Sequence, residues 1–164
     1  MGRSGIDQLL YMMDSAFDGK EWHSLLKNLG SVNADEWDWT PPDGVRTIRS
    51  LVQELGVCKF VYDSHAFGDG SMHWDKPGTY PAPPMGPSTA ETIEWLRGAH
   101  ASLRAHLAAL PDDSALMEEV MSQWGNMLPR RFLIKTIIEH DLYHCGEINH
   151  IRALAQKNDG PGND

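Results

Sequence analysis

His140 and His144, four residues apart, are the pair whose type and spacing point most directly to chemistry. If the run Glu139-His140-Asp141-Leu142-Tyr143-His144-Cys145-Gly146-Glu147 is helical, both imidazoles lie on one face, about 6 Å apart along the axis. One metal ion can bridge that separation. The line Leu133, Ile137, His140, His144, Ile148, Ile151 and Ala155 advances by steps of four or three, which places both rings in an apolar stripe expected to face the core. A lone histidine there is usually a hydrogen-bonded packing residue. Two of them crowd each other without an obvious partner, and a shared cation answers that need.

A metal needs a further ligand from another helix. Thr47, Leu51, Glu54, Cys58, Val61 and His65 form a second line, with the Glu54 carboxylate among apolar neighbours. Two neutral imidazoles and one carboxylate leave a divalent cation with a net charge of about +1 and with positions open for water or substrate. Zn or Ni suits such a donor set best, and Fe or Mn is compatible with it. The competing reading puts Glu54 at the edge of its stripe, reaching solvent.

Other residues are bounded more loosely. Glu147, seven beyond His140, has two equal readings: orienting or joining the ligands, or decorating the helix surface. His65 is eleven residues past Glu54, about 16 Å along the axis, too far for the same ion. His23 and His73 are candidates to line a pocket with no spacing behind them. His150 reads as a flank residue and Cys58 as a packing thiol. The run H-D-L-Y-H mimics a zincin motif, but the short Asp141 arm misplaces the base. Cys145 and the adjacent His144 diverge by about 100° on a helix, which weakens a Cys-His nucleophile.

Elements able to position these residues follow from periodicity. Ile6, Leu9, Leu10, Met13 and Phe17, then Trp22, Leu25, Leu26 and Leu29, predict one interrupted helix or two in series over 6–32, with Gly19 as a left-handed stop. Trp37 and Trp39 are expected to cover the bundle's end. A second helix is expected over 45–67. Residues 68–87 hold five of the ten prolines and four glycines, so they read as a long connection. Ser88 and Glu91 fit a capping box opening a third helix to about Leu110. A short helix through Leu116, Val120 and Met121 precedes a last helix from about Pro129 to Gln156, and 157–164 is expected to be a disordered tail. No strand is expected. The fold class is all-α: a bundle of four principal helices forming one domain over 1–156.

Three segments, HDLYHCGEINHIRAL, FDGKEWHSLL and RTIRSLVQELGVCKFVYDSHAFGDG, resemble the DinB-like metal-binding four-helix-bundle superfamily, also called YfiT-like, over residues 17 to 156. The resemblance implies an up-down-down-up bundle with a long crossover between helices two and three. It also implies a metal held by a histidine on helix two and H-x3-H on the last helix. The latter falls on His140 and His144; the helix-two position falls on Glu54, a departure that still supplies a ligand. Relatives include thiol S-transferases and a mycothiol-dependent isomerase, so the resemblance implies a low-molecular-weight thiol, a small electrophile and a homodimer. The alternative is a non-catalytic metal- or ligand-binding, stress-associated bundle. Arg130, Arg131 and Arg152 are too dispersed to mark a thiol-substrate anchor.

Composition narrows the partners. With 14 basic and 23 acidic residues in 164, the net charge of −9 repels phosphate backbones, so nucleic acid is not expected. No apolar run approaches the roughly 20 residues that span a bilayer, and the N-terminal residues carry no signal-peptide pattern. Two isolated thiols fit a reducing compartment, and the expected location is the cytoplasm.

Overall fold

The computed structural model of the protein describes residues 2–20 and 23–158. Five α-helices dominate it: α1 (Ser4–Asp18), α2 (Leu25–Leu29), α3 (Ile48–Phe67), α4 (Thr89–Ala108) and α5 (Arg130–Gln156). Residues 68–88 join α3 to α4 without a helix or strand. The helix starts have local causes. Thr47 Oγ1 accepts from Ser50 N at 3.1 Å to open α3, and Ser88 Oγ accepts from Glu91 N at 3.2 Å to open α4. The reciprocal half of the Ser88 box does not form. Helix α1 borrows its cap from far along the chain, because Asp113 accepts from both Gly5 N and Ile6 N at 3.0 Å. Those two bonds hold the Asp113 carboxyl below the usual carboxylate range.

Helix α3 packs against α4 and α5, and α1 packs against α4 and α5. Gly56 is required at the first contact, since a Cβ there would collide with the Trp95 ring of α4. The buried apolar residues fall into two clusters. One gathers Ile6, Met13, Leu103, Leu107, Leu133 and Ile137; the other gathers Phe17, Leu25, Trp37, Leu55, Leu96 and Ile148. Along α3 the division falls between Leu55 and Cys58, and along α5 between Ile138 and Ile148. Asp141 and His144 lie within that division on α5, Lys59 directly follows it on α3, and His100 sits between Leu96 and Leu103 of α4; all four are buried. A polar layer therefore crosses the middle of the helices, at the level of the candidate site.

His100 shows the cost of that layer. Its ring stacks on Phe17 with centroids 3.6 Å apart, and its buried Nδ1 has no hydrogen-bond partner. Burial, reinforced by Lys59, Arg104 and Arg97, pushes its pKa down to about 2 from 6.5. The unfolded chain then binds a proton below pH 6.5 that the folded chain refuses, so stability falls as pH falls through this window. We expect His100→Phe to remove roughly 2 to 3 kcal/mol of the stability lost between pH 6.5 and about pH 4, measured by denaturant unfolding at each pH. An unchanged pH slope would contradict this.

Three expectations from the sequence need correction. The short helix through Leu116, Val120 and Met121 is instead a 3-10 turn, Asp113–Met117, followed by an antiparallel hairpin of β1 (Glu119–Met121) and β2 (Met127–Pro129). With only three residues per strand, the hairpin leaves no alternation long enough to read. Pro129 accordingly ends β2 and precedes α5 rather than forming its first turn. Gly19 is extended, with φ −66° and ψ 164°, not left-handed; a Cβ there would strike the Ser15 carbonyl oxygen, so close approach demands the glycine. Trp22 and most of the expected tail, from Asp159 on, lie outside the described residues. No helix among the described residues is long and apolar enough to cross a membrane.

Candidate metal centre

Helices α3 and α5 bring Glu54, His140 and His144 together. His140 Nε2 and His144 Nε2 are 3.0 Å apart, and Glu54 Oε1 lies 3.5 Å from the second and 3.8 Å from the first. Donors about 2.1 Å from one ion stand about 3.0 to 3.4 Å apart, so the triangle fits a divalent cation after a shift of a few tenths of an ångström. His144 is the buried member, with 3% of its side chain exposed; His140 is at 24% and Glu54 at 42%. Glu54 thus occupies the edge of its stripe, as the competing reading had it, and yet faces both imidazoles. Burial, with His144, Lys59 and Arg46, pushes the His140 pKa down to about 4, which keeps its ring neutral and its lone pair available.

The outer contacts close a ring around the three donors. Glu147 Oε2 accepts from His144 Nδ1 at 2.9 Å, fixing the proton on that nitrogen and turning the Nε2 lone pair toward His140 and Glu54. Arg46 holds Glu54 Oε2 through Nη2 and reaches Glu147 Oε2 through Nη1 at 3.5 Å. Glu54 is thereby oriented with Oε2 on the guanidinium and Oε1 toward the histidines. Helix pitch explains Glu147, one turn past His144. Arg46 lies in the segment before α3, where no period singles out a residue, and sequence reasoning missed it.

The remaining sequence candidates take other places. His65 is in a separate location, with Nδ1 2.8 Å from Met121 O and Nε2 3.1 Å from Met72 O. His73 stands edge-on to it with ring centroids 5.6 Å apart. His23 and His150 are exposed. Cys145 is buried, donates to His23 O at 3.0 Å and has its pKa pushed up to about 11 by burial, which rules it out as a thiolate nucleophile. Asp141, set aside as a zincin base, is buried and paired elsewhere: Lys59 Nζ is 2.6 Å from its Oδ2. Glu54 and His140 also form one end of a cavity of about 590 Å³.

A family model described as the DinB superfamily matches residues 19–148. The chain belongs to the DinB superfamily. No curated protein matches it. Within this DinB-superfamily chain the match covers all of α3 and α5 as far as Ile148, and so includes all three residues of the triad.

The ring of outer contacts makes a measurable difference. Glu147→Gln and Arg46→Met should each weaken divalent-metal affinity by about 10 to 100-fold without changing the helical spectrum. Competition with a chromophoric chelator reads this directly. Wild-type affinity in both variants would show that the outer ring does not act on the donors.

Proposed function

We propose that this DinB-superfamily protein is a metal-dependent thiol S-transferase that binds one divalent cation through Glu54, His140 and His144. The observation that carries the reading is the triad's position: three donors converge, and two of them, Glu54 and His140, line a cavity large enough for a small organic substrate. A divalent cation held there supplies the Lewis acidity that lets a thiol give up its proton near neutral pH. The reaction joins RSH and R′–X to give RS–R′, with the proton released to solvent and X leaving with the bonding electrons. Glu147 holds the His144 tautomer, Arg46 fixes Glu54, and the buried His144 ring, with 3% of its side chain exposed, is shielded from water. One carboxylate among the three donors keeps the loaded site net positive, which favours an anionic sulfur over a neutral one.

The proposal extends to the up-down-down-up topology, with residues 68–88 as the crossover, and to a cytoplasmic homodimer. Family membership supports the topology, and exposed Tyr11 on α1 and Tyr143 on α5 leave apolar area for a second copy.

Cobalt substitution tests the chemistry. Titrating the Co²⁺ form with bacillithiol, mycothiol, glutathione or cysteine should produce a sulfur-to-metal charge-transfer band with the cognate thiol. Its apparent affinity should rise with pH until the free thiol ionises, near pH 8.5. The same thiol should conjugate monochlorobimane at least about tenfold faster than without protein. If no thiol perturbs the spectrum and conjugation stays at the uncatalysed rate, the transferase reading fails and a binding role replaces it.

A further inference from the structure

The cavity beside the triad has an unusual wall. Four aromatic rings surround it, contributed by three separate segments: Tyr62 from α3, Trp74 and Tyr80 from residues 68–88, and Trp124 from the hairpin turn. Trp74 and Trp124 remain 42% and 48% exposed although both line the same hollow. Among the described residues no lysine or arginine lines it, and Glu54 and His140 are its only charged or basic groups. Burial pushes the Tyr62 hydroxyl and the Cys58 thiol, which also lines the space, up to about 12, so both stay neutral.

The rings are held in place without a ligand. Trp124 meets Tyr62 edge-on with centroids 5.9 Å apart, and Phe132 meets Trp124 edge-on from elsewhere at 6.3 Å. The Tyr80 hydroxyl donates to Trp74 O at 3.3 Å, and His73 N donates to Thr79 Oγ1 at 2.9 Å, closing the segment that carries both rings. His65 ties the two loop walls to α3, one ring nitrogen on Met72 O and the other on Met121 O, within three residues of Trp74 and Trp124. A wall organised in this way presents ring faces and edges to its occupant.

We infer that this cavity binds a flat, uncharged aromatic group, carried by the small-molecule substrate and directed with its reactive end toward the triad. An anionic substituent held against the aromatic wall, away from the triad, finds no lysine or arginine beside it. An organic cation meets a site whose bound divalent ion and Arg46 outweigh Glu54 and Glu147. A saturated group of equal size loses the edge and face contacts that flat rings make with tryptophan. The orientation of the reactive end and the exclusion of an organic cation rest on the metal-dependent reading above, whereas the preference for a flat ring does not, and the experiment separates the two.

Calorimetry with an unreactive set of probes decides it: 2-naphthalenemethanol, its decahydro analogue, and the trimethylammonium analogue of the same ring. On metal-loaded protein the uncharged aromatic alcohol should bind at least about tenfold more tightly than either of the others. Its preference over the saturated analogue should survive metal removal, because α3, the connecting segment and the hairpin supply the wall. Trp74→Leu and Trp124→Leu should each erase most of that preference with stoichiometric metal retained, and Trp74→Tyr should keep it. Equal binding of the saturated probe, tighter binding of the ammonium, or full preference in both leucine variants overturns the inference. Aromatic preference without any thiol effect on the cobalt spectrum would sink the transferase reading alone; a thiol effect without aromatic preference would sink this one alone.

Discussion

His144→Ala is expected to lower divalent-metal affinity by more than the roughly 100-fold attributable to an outer-shell change, and to leave far-UV helicity nearly intact. His144 holds the most central position of the triad: it is 3.0 Å from His140 Nε2, 3.5 Å from Glu54 Oε1, and the only donor locked by a carboxylate behind it. Removing it strips one ligand and leaves Glu147 with nothing to orient. The helix survives because Leu133, Ile137, Ile148 and Ile151 anchor α5 in both apolar clusters. Truncating a buried ring costs on the order of 1 to 3 kcal/mol, which a domain of this size tolerates. Glu54→Ala should weaken binding less, since the carboxylate is 42% exposed and water can take its place. Competition with a chromophoric chelator ranks the two variants. Wild-type affinity in His144→Ala would place the site elsewhere.

Lys59→Met is expected to be the most destabilising single change in the polar layer. Lys59 Nζ and Asp141 Oδ2 are 2.6 Å apart with 1% of either side chain exposed, and Asp141 Oδ1 already lacks a partner. Burial pushes the Asp141 carboxyl up against the pull of Lys59. Without the ammonium that opposition disappears, and a buried carboxylate is left uncompensated at a cost of about 3 to 5 kcal/mol. The melting temperature should fall by on the order of 10 °C. A carboxyl with a raised folded-state pKa favours folding at low pH and opposes it as pH rises through that value, so the deficit should be larger at pH 8 than at pH 5. Adding Asp141→Leu should recover most of the loss, because an apolar pair can replace a buried ion pair at little cost. Thermal unfolding of the single and double variants at both pH values checks each step. A double variant no better than Lys59→Met would contradict the account.

The parts of this architecture that rest on period were legible in the sequence, and those that rest on long-range pairing were not. His140 and His144 share a face because helical pitch dictates it, and α3, α4 and α5 followed from apolar spacing, with the Ser88 cap marking the start of α4. Glu54 was legible as a polar intruder, with its edge position among the readings, but the orientation that Arg46 gives its carboxylate was not, because that depends on where the segment before α3 falls. Arg46, Lys59 and Asp113 all act on residues of other elements; their partners Glu54, Asp141 and the start of α1 are joined to them only by the fold. The hairpin escaped notice for a different reason. Its strands are three residues long, and a run ending in Met127-Leu128-Pro129 carries no alternation and closes on a residue that strands disfavour. The aromatic wall was hidden likewise, since Trp74, Tyr80 and Trp124 lie in segments without periodic pattern.

Elemental analysis of the protein purified without chelator and without an affinity-nickel step tests the central claim most directly. About one divalent ion per wild-type chain is expected, with a large drop in His144→Ala and a smaller one in Glu54→Ala. Metal-free wild-type protein that also fails to take up Zn²⁺, Ni²⁺, Fe²⁺ or Mn²⁺ on titration, or full occupancy in His144→Ala, would contradict it.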